Sequence, residues 1–222
     1  MEIRITADAA TAAAEAADWV AKQLRSAVLR RGSATLAISG GTTPAQMIGM
    51  IAGLFTGWSH VTVWQVDERV APDGSAERNS ALLDVLRSEG AQIRAMPVTE
   101  PDLEAAATRY ADQLPPRFDV AHLGLGDDGH TASWPPGDPV LDSPLSVALS
   151  GVYRGTRRMT LTPQVINRAR HRLVLVTGTP KAAAVRGWLL HNPALPIERV
   201  HRRATVLVLD LAAAAHLPVG VR

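Results

Sequence analysis

The chain has 222 residues, of which 46% are hydrophobic and 20% charged, and it contains no cysteine. These features fit one folded α/β domain over residues 1–222, and they exclude disulfides, thiolate metal sites and a cysteine nucleophile. The formal net charge is only +2, so composition gives no reason to expect a nucleic-acid partner. We find neither an apolar run long enough to span a membrane nor a secretory signal, and therefore expect a cytoplasmic location.

Hydrophobic patterning predicts strands that alternate with helices along the chain. The predicted strands are residues 2–6, 34–39, 61–66, 93–98, 118–124, 158–162, 172–177 and 205–210, with a short strand near 145–149. The predicted helices are residues 9–31, a helix from 44 onward, 80–88, 102–114, 163–169 and 181–191, and an Ala-rich tail after 210. This alternation predicts an α/β fold, with a mostly parallel sheet and helices on both of its faces.

Capping residues predict the ends of the first two helices. Asp8 is suited to cap the first helix at its start, and Gly32 follows its last residue as a C-cap. Pro44 fits the first position of the second helix, which would make Thr43 its N-cap.

The loop before the second helix is a candidate anion site. Gly40 and Gly41 allow close approach of the backbone to a ligand, and Thr42 follows them. The free N–H groups and the dipole of a helix N-terminus favour negative charge. The spacing and the missing lysine exclude a Walker loop, and an ordinary capped turn between strand and helix is the alternative.

The most informative stretch is residues 123–136, which read LGLGDDGHTASWPP after an apolar strand. Three glycines in six residues suit a backbone that turns sharply or approaches a ligand closely. Ligands bind at the carboxyl ends of strands in open parallel sheets. His130, preceded by the carboxylates Asp127 and Asp128, is therefore a candidate general base.

Two other interpretations of this stretch are weaker. Its Gly-x-Gly-x-x-Gly pattern matches the dinucleotide-binding fingerprint, but that fingerprint requires a helix at the third glycine. Here Pro135 and Pro136 follow, so no long helix begins. A glycine-rich loop that only reverses the chain is the plainer alternative, and the polar, chemically capable residues beside the glycines weigh against it.

Two more predicted strand ends carry charge. The triplet 67–69, Asp-Glu-Arg, places Arg69 at the ligand-binding edge, although such a triplet is also typical of a solvated turn. Lys181 lies in a first helical turn, where the dipole disfavours a cation, and a nearby anion would explain that position. A surface lysine is the alternative. Together, the four polar strand ends suit a small phosphorylated substrate.

Several mechanisms lack their motifs. The chain has no G-x-S-x-G nucleophile elbow. It has no H-E-x-x-H motif, and its sequence suggests no tight His/Asp ligand cluster, so we expect no catalytic metal. Metal-free acid–base chemistry is the mechanism that remains.

Five motifs occur in a specific order along the chain. They are S-G-G-T-T-P at 39–44, D-E-R at 67–69, G-L-G-D-D-G-H-T-A-S at 124–133, R-M-T-L-T at 158–162 and T-G-x-x-K at 177–181. Together they resemble the 6-phosphogluconolactonases, within the wider glucosamine-6-phosphate isomerase/6-phosphogluconolactonase superfamily.

This resemblance implies a modified Rossmann-like α/β fold, no cofactor, and hydrolysis of 6-phospho-D-glucono-1,5-lactone to 6-phosphogluconate in the oxidative pentose phosphate pathway. By motif match, His130 would activate water and Asp128 would orient or polarise that histidine. The residues expected to contact the phosphate or the developing oxyanion are Gly40, Gly41, Thr42, Arg69 and Lys181, with Arg158 as a weaker candidate. Arg78, where the family commonly has Ser, would add a phosphate contact or face solvent.

Another departure is Trp134-Pro135-Pro136, where the family usually has Leu-Phe-Pro; it would reshape the pocket wall. The implied partner is a small phosphorylated sugar lactone, bound by a monomer or weak homodimer. Two rival functions remain. The amino-sugar isomerase/deaminase branch has a glutamate in the segment after its histidine loop, where residues 133–135 offer no acid. A non-catalytic sugar-phosphate sensor would need a DNA-binding module, for which the chain has no spare segment.

Overall fold

The computed structural model describes residues 1–218, which contain ten strands and six α-helices. The strands are β1 (Glu2–Thr6), β2 (Ala34–Ile38), β3 (Val61–Gln65), β4 (Asp67–Arg69), β5 (Gln92–Arg94), β6 (Val120–Leu123), β7 (Val147–Tyr153), β8 (Thr156–Leu161), β9 (His171–Val176) and β10 (Thr205–Asp210). The α-helices are α1 (Ala9–Arg31), α2 (Thr42–Leu54), α3 (Asp84–Ser88), α4 (Leu103–Asp112), α5 (Pro163–Arg168) and α6 (Ala182–Leu189). None of these helices is long and apolar enough to cross a membrane.

Seven strands form one parallel sheet in the order β1-β10-β9-β6-β2-β3-β5. From β2 the chain adds β3 and β5 on one side, and it then returns to place β6 on the other side. The boundary between β2 and β6 is therefore a topological switch point, where open α/β sheets bind their ligands. The loops that begin at Ser39 and Gly124 both leave the sheet at this point.

The parallel sheet is covered on both faces, as the sequence predicts. On β9, Leu173 and Leu175 pack in a core with residues of α1 and α2. Val174 and Val176, which alternate with them, pack in a second core with residues of α4, α5 and α6. Burial on both faces explains why these strands are almost continuously apolar in sequence.

A second, antiparallel sheet was not predicted. It has three strands in the order β4-β8-β7, and its apolar residues join the core on the α4 side of the parallel sheet. The Asp-Glu-Arg triplet follows the end of β3 by one residue, as predicted, but it forms strand β4 and not a solvated turn. Strands β7 and β8 form a hairpin that extends the strands predicted near 145–149 and at 158–162.

Helix α1 has the predicted caps, whereas the start of α2 differs. The Asp8 carboxylate accepts a hydrogen bond from the Thr11 N–H, and Gly32 adopts the left-handed conformation after the last turn. Helix α2 begins at Thr42, so the prediction of Thr43 as N-cap was wrong. Gly41 is the N-cap, with φ of 118°, and no side chain in the described part of the chain caps the helix.

Three other boundaries differ from the sequence predictions. The strand predicted at 93–98 ends at Arg94; the Met96 N–H donates to the Gln65 side chain, and Pro97 beyond it has no N–H. Residues 179–181 form a 3₁₀ turn, so α6 begins at Ala182, one residue later than predicted. The predicted Ala-rich tail helix is wrong over 211–217, which form turns after Asp210, and its last residues lie outside the described range.

Candidate active site

A cavity of about 220 Å³ lies at the switch point of the parallel sheet. Its walls come from the loops after β2, β6 and β9 and from strands β4 and β8. Seven of the nine residues predicted for the site line it: Gly40, Gly41, Thr42, Arg69, His130, Arg158 and Lys181. Asp128 reaches the cavity through its contact with His130, and Arg78 is not among the lining residues.

The imidazole of His130 is held by Asp128. Its Nδ1 lies 2.5 Å from Oδ1 of Asp128, and the same carboxylate oxygen accepts the backbone N–H of His130 at 3.1 Å. An ionised carboxylate is only an acceptor, so Nδ1 is the nitrogen that carries the proton. This tautomer leaves Nε2 with a free lone pair for the cavity that His130 lines.

Gly126 makes room for this pair. A Cβ added at Gly126 would lie 1.9 Å from His130 Nδ1 and 2.8 Å from Asp128 Oδ1. Any other residue would displace the imidazole, because real Cβ atoms do not approach other atoms so closely. The middle glycine of the loop is therefore explained by the histidine that packs over it.

Tyr153 belongs to the same group, although sequence analysis did not select it. Its hydroxyl donates to Asp128 Oδ2 and lies 3.2 Å from His130 Nδ1. Burial would raise the pKa of Asp128, but the hydrogen bonds from Tyr153 and His130 outweigh it and hold that pKa at about 2. Asp128 is thus an anion at neutral pH. The Arg154-Gly155 pair after Tyr153 fits a hairpin turn, but residues 147–153 do not alternate in polarity, so no sequence pattern placed Tyr153 in the site.

Other residues that line the cavity suit an anionic ligand. The N-terminus of α2 faces it without a side-chain cap, and the Thr43 and Thr177 hydroxyls meet there at 2.8 Å. Arg69 and Arg158 are directly opposed in the β4–β8 ladder, and both line the cavity. Like charges at opposed positions repel. Negative charge on a ligand in the cavity would offset that repulsion.

A buried carboxylate balances part of this charge. Asp67 is 6% exposed, and it accepts a hydrogen bond of 2.6 Å from the Ser133 hydroxyl. Burial raises the pKa of Asp67, while Ser133 and Arg158 act in the opposite direction. Ser133, which follows His130 by three residues, thereby links the histidine loop to β4.

Two further cations stand near the histidine loop. Arg154, a lining residue that sequence analysis missed, donates to Asp127 Oδ1 at 2.7 Å. Lys181 lines the cavity from the turn before α6, and its charge helps to lower the pKa of Asp127 after the larger effect of the Arg154 hydrogen bond. The position of Lys181 at the end of a 3₁₀ turn keeps it near the start of α6, as predicted.

Arg78 has neither of the two positions considered for it. It is 8% exposed, and its Nε lies 3.3 Å from Glu68 Oε2, so it does not face solvent. Glu68 is fully buried, and it also accepts the backbone N–H groups of Asn79 and Ser80. Arg78 and Glu68 together fix the loop that brings Asn79 to the cavity.

The carboxylates before His130 do form a cluster, contrary to our expectation from sequence. One ligand atom from each of Asp127, Asp128 and His130 lies within 4.8 Å of the others. Each acidic group already has a partner, because Arg154 donates to Asp127 and Tyr153 donates to Asp128. The carboxylates that could bind a metal ion are therefore already hydrogen-bonded within the protein, Asp127 to a guanidinium group and Asp128 to a hydroxyl.

The fold and this cavity define an α/β protein whose switch-point cavity combines cationic side chains and a helix N-terminus with a histidine held by a carboxylate. The chain belongs to the family of glucosamine-6-phosphate isomerases and 6-phosphogluconolactonases, whose model matches residues 7–209.

Relatives agree with this assignment. The chain is 34% identical over 216 residues to a 6-phosphogluconolactonase of Pseudomonas aeruginosa, covering 90% of this chain and 87% of the relative. It is 33% identical over 221 residues to one of Streptomyces coelicolor, covering 85% and 84%.

Solved structures share the fold. A 6-phosphogluconolactonase from Shewanella baltica superposes with a TM-score of 0.86 at 27% identity, covering 95% of this chain and 97% of that chain. A monomeric glucosamine-6-phosphate deaminase superposes with a TM-score of 0.85 at 18% identity, covering 97% and 99%. The fold is therefore common to both branches, and it does not separate them.

Proposed function

We propose that this chain is a 6-phosphogluconolactonase, which hydrolyses 6-phospho-D-glucono-1,5-lactone to 6-phospho-D-gluconate. The observation that carries the proposal is that one cavity contains both a candidate general base and a candidate phosphate-binding group. His130, held by Asp128, lines this cavity together with the uncapped N-terminus of α2 and Arg69. A phosphorylated lactone has a carbonyl for the first group and a dianion for the second.

The proposed reaction begins with water near Nε2 of His130. This nitrogen accepts a proton as the water oxygen bonds to the lactone carbonyl carbon, and the carbonyl oxygen becomes an oxyanion. Asp128 stabilises the resulting imidazolium through Nδ1. The bond between the carbonyl carbon and the ring oxygen then breaks, and His130 returns the proton to that oxygen. General base catalysis of this kind contributes roughly 10²–10⁴ in rate.

In this proposal, some of the cationic side chains bind the phosphate and another stabilises the oxyanion at the lactone carbonyl. Arg69 and Lys181, with the N–H groups of Thr42 and Thr43, are proposed to hold the phosphate. Arg158 lies with its guanidinium carbon 5.5 Å from the ring centre of Tyr153, which itself contacts His130. Its charge is therefore placed to stabilise the oxyanion, and fixed donors of this kind contribute about 3 kcal/mol.

The amino-sugar branch is disfavoured by the segment after the histidine. Pro135 and its neighbours stand where that branch has a glutamate. Trp134 is fully buried and donates to the Leu161 carbonyl, and Ser133 is bonded to Asp67. This segment is thus a packed wall of the cavity that offers no acid for isomerisation or deamination.

One experiment compares the two activities. The protein should hydrolyse the phosphorylated lactone above its spontaneous rate and release no ammonia from glucosamine 6-phosphate. His130→Ala should lower kcat at least 100-fold with an unchanged circular dichroism spectrum. His60→Ala, at an exposed position, is the matched control and should retain full activity. Ammonia release without lactone hydrolysis would reject the proposal.

We also propose that residues 1–222 form one domain that acts as a monomer or weak homodimer in the cytoplasm, without a cofactor. The lining of the cavity includes His130, Arg69 and Lys181, so a single chain carries both the proposed base and the proposed phosphate contacts. The curated relatives are metabolic enzymes, which supports the location. Sedimentation equilibrium at micromolar concentration should give the mass of one chain.

A further inference from the structure

The hairpin of β7 and β8 delivers Tyr153 to the histidine loop by an irregular path. Ser150 pairs with Arg158, but Tyr153 pairs with Thr156, so β7 contains one residue more than β8 between these pairs. Such a bulge bends a strand and re-aims the side chains beyond it. The extra residue is fixed in place because the Gly151 N–H donates to Asp138 Oδ2 at 2.8 Å.

The turn after Tyr153 also defines its position. Arg154 and Gly155 both have positive φ angles, of 50° and 87°, as in the two-residue turns that match the twist of a hairpin. The backbone on either side of Tyr153 is therefore constrained, by the bulge before it and by the tight turn after it. A hydroxyl held in this way can position another group.

The Tyr153 hydroxyl completes the set of hydrogen bonds to the Asp128 carboxylate. Oδ1 accepts from the ring and the backbone N–H of His130, while Oδ2 accepts from Tyr153. The two rings also pack edge to face, with centroids 5.3 Å apart. Without the hydroxyl, the carboxylate could rotate about its last bond, and the imidazole would lose its fixed orientation.

We propose that Tyr153 is a positioning residue for lactone hydrolysis, which locks Asp128 so that Nε2 of His130 faces the substrate carbonyl. This inference rests on the proposed function. It assigns a role to Tyr153, a hairpin residue that lies outside all five sequence motifs. Tyr153 acts through Asp128 and has no proposed contact with the reacting atoms.

The surroundings of Tyr153 keep it a hydrogen-bond donor. Burial, the hydrogen bond to Asp128 and the charge of that carboxylate raise the pKa of Tyr153 to about 12. The charged groups around the Tyr153–His130 pair are Asp127 and Asp128 on the histidine loop, Arg154 and Arg158 on the hairpin, and Lys181 on the turn before α6. Arg154 opposes this shift without overcoming it.

The test is Tyr153→Phe, which removes the hydroxyl and retains the ring. We expect kcat for the phosphorylated lactone to fall about 10-fold with KM within twofold of wild type, as for loss of one hydrogen bond to a charged group. The matched control is Tyr110→Phe, at the only other tyrosine, whose hydroxyl bonds the Gln65 and Arg94 backbone away from the cavity. Its kcat should be within twofold of wild type.

A double-mutant cycle separates positioning from other roles. In an Asp128→Ala background, Tyr153→Phe should change kcat by less than twofold, because the group through which it acts is already missing. A full 10-fold loss in that background would overturn the proposal. So would a normal kcat in the single variant, or a raised KM alone. Wild-type protein assayed in parallel tests the function itself, since absence of any lactone hydrolysis would reject that proposal first.

Discussion

Arg78 and Glu68 form a buried ion pair, with Nε and Oε2 3.3 Å apart, behind the wall of the cavity. Both side chains are almost inaccessible, at 6% and 0%. Breaking a buried pair leaves an uncompensated charge, which costs far more than losing a pair on the surface. The resemblance to a sugar-phosphate enzyme made Arg78 a possible ligand, but its partner makes it part of the scaffold.

We therefore expect Arg78→Ala to lower the free energy of unfolding by about 3 kcal/mol. Arg87→Ala is the matched control, because Arg87 pairs with Asp84 and both are more than half exposed. Its effect should be below about 0.5 kcal/mol. Urea denaturation at pH 7 measures both values, and equal effects would contradict the assignment of Arg78 to the scaffold.

Lys181→Ala should show whether Lys181 binds the phosphate group of the substrate. Lys181 lines the cavity, and no ion pair to it is found among residues 1–218. We expect KM for the phosphorylated lactone to rise at least 10-fold, as for loss of about 1.4 kcal/mol or more of binding free energy. KM for unphosphorylated glucono-1,5-lactone should hardly change. Equal effects on both substrates would rule out a phosphate contact.

Gly126→Ala tests the packing of the imidazole over the loop. The new Cβ would lie 1.9 Å from His130 Nδ1, so the ring must leave Asp128. We expect kcat to fall at least 100-fold, on the order of the contribution of a positioned base. Gly49→Ala, in α2, meets no atom within 4 Å and should leave kcat unchanged. If Gly126→Ala retains wild-type turnover, the catalytic base lies elsewhere.

His122 should make the protein sensitive to acid. It is fully buried in β6, neither ring nitrogen has a hydrogen-bond partner within residues 1–218, and burial lowers its pKa to about 3. Between about pH 6.5 and pH 3 the unfolded chain binds a proton there and the folded chain does not. Stability is therefore lost as the pH falls through this window, by about 1.4 kcal/mol per pH unit.

His122→Leu should remove this loss and stabilise the fold at pH 7 by about 1–3 kcal/mol, because two unpaired polar atoms disappear. Urea denaturation at several pH values between 7 and 4 measures the slope. His60→Leu, at an exposed position, should keep the slope of the wild type. A slope in His122→Leu as steep as in wild type would show that other groups dominate.

Removal of metal ions should leave activity intact. The ligand atoms of Asp127, Asp128 and His130 come within 4.8 Å, yet Arg154 and Tyr153 already bond the two carboxylates. Protein dialysed against EDTA should keep its kcat, and added Mg²⁺, Mn²⁺ or Zn²⁺ should not raise it. Loss of activity in EDTA, restored by one of these ions, would replace the metal-free mechanism.

The sequence predicted the parallel sheet and the loops at its carboxyl edge well, because strands buried on both faces are continuously apolar. It could not predict the antiparallel sheet. Strand β4 has only three residues, all charged, and they are strand-forming only because β8 lies beside them. The position of Tyr153 depends on a one-residue bulge, and periodicity carries no signal for such a shift.

The predictions for Arg78 and for the start of α2 also differ from the structure, because both depend on contacts or backbone conformation that local sequence does not reveal. A charged residue after a loop favours the surface, and only the fold brings a buried Glu68 against Arg78. The boundary of α2 moved by two residues because Gly41 can adopt a φ of 118° and serve as the cap itself. Local propensity favoured Thr43, and the conformation of the preceding glycine decided otherwise.

Arg69 and Arg158 both lie in the short antiparallel sheet, where they are paired between β4 and β8. The register of these two strands therefore determines whether both positive charges lie at the cavity. Successive strand residues point to opposite sides, so a slip of one position would turn either guanidinium away. The antiparallel sheet is separate from the parallel strands that carry the glycine loops. Substitutions at a few of its positions could therefore change which ligands bind, while the arrangement of His130 and Asp128 stays the same.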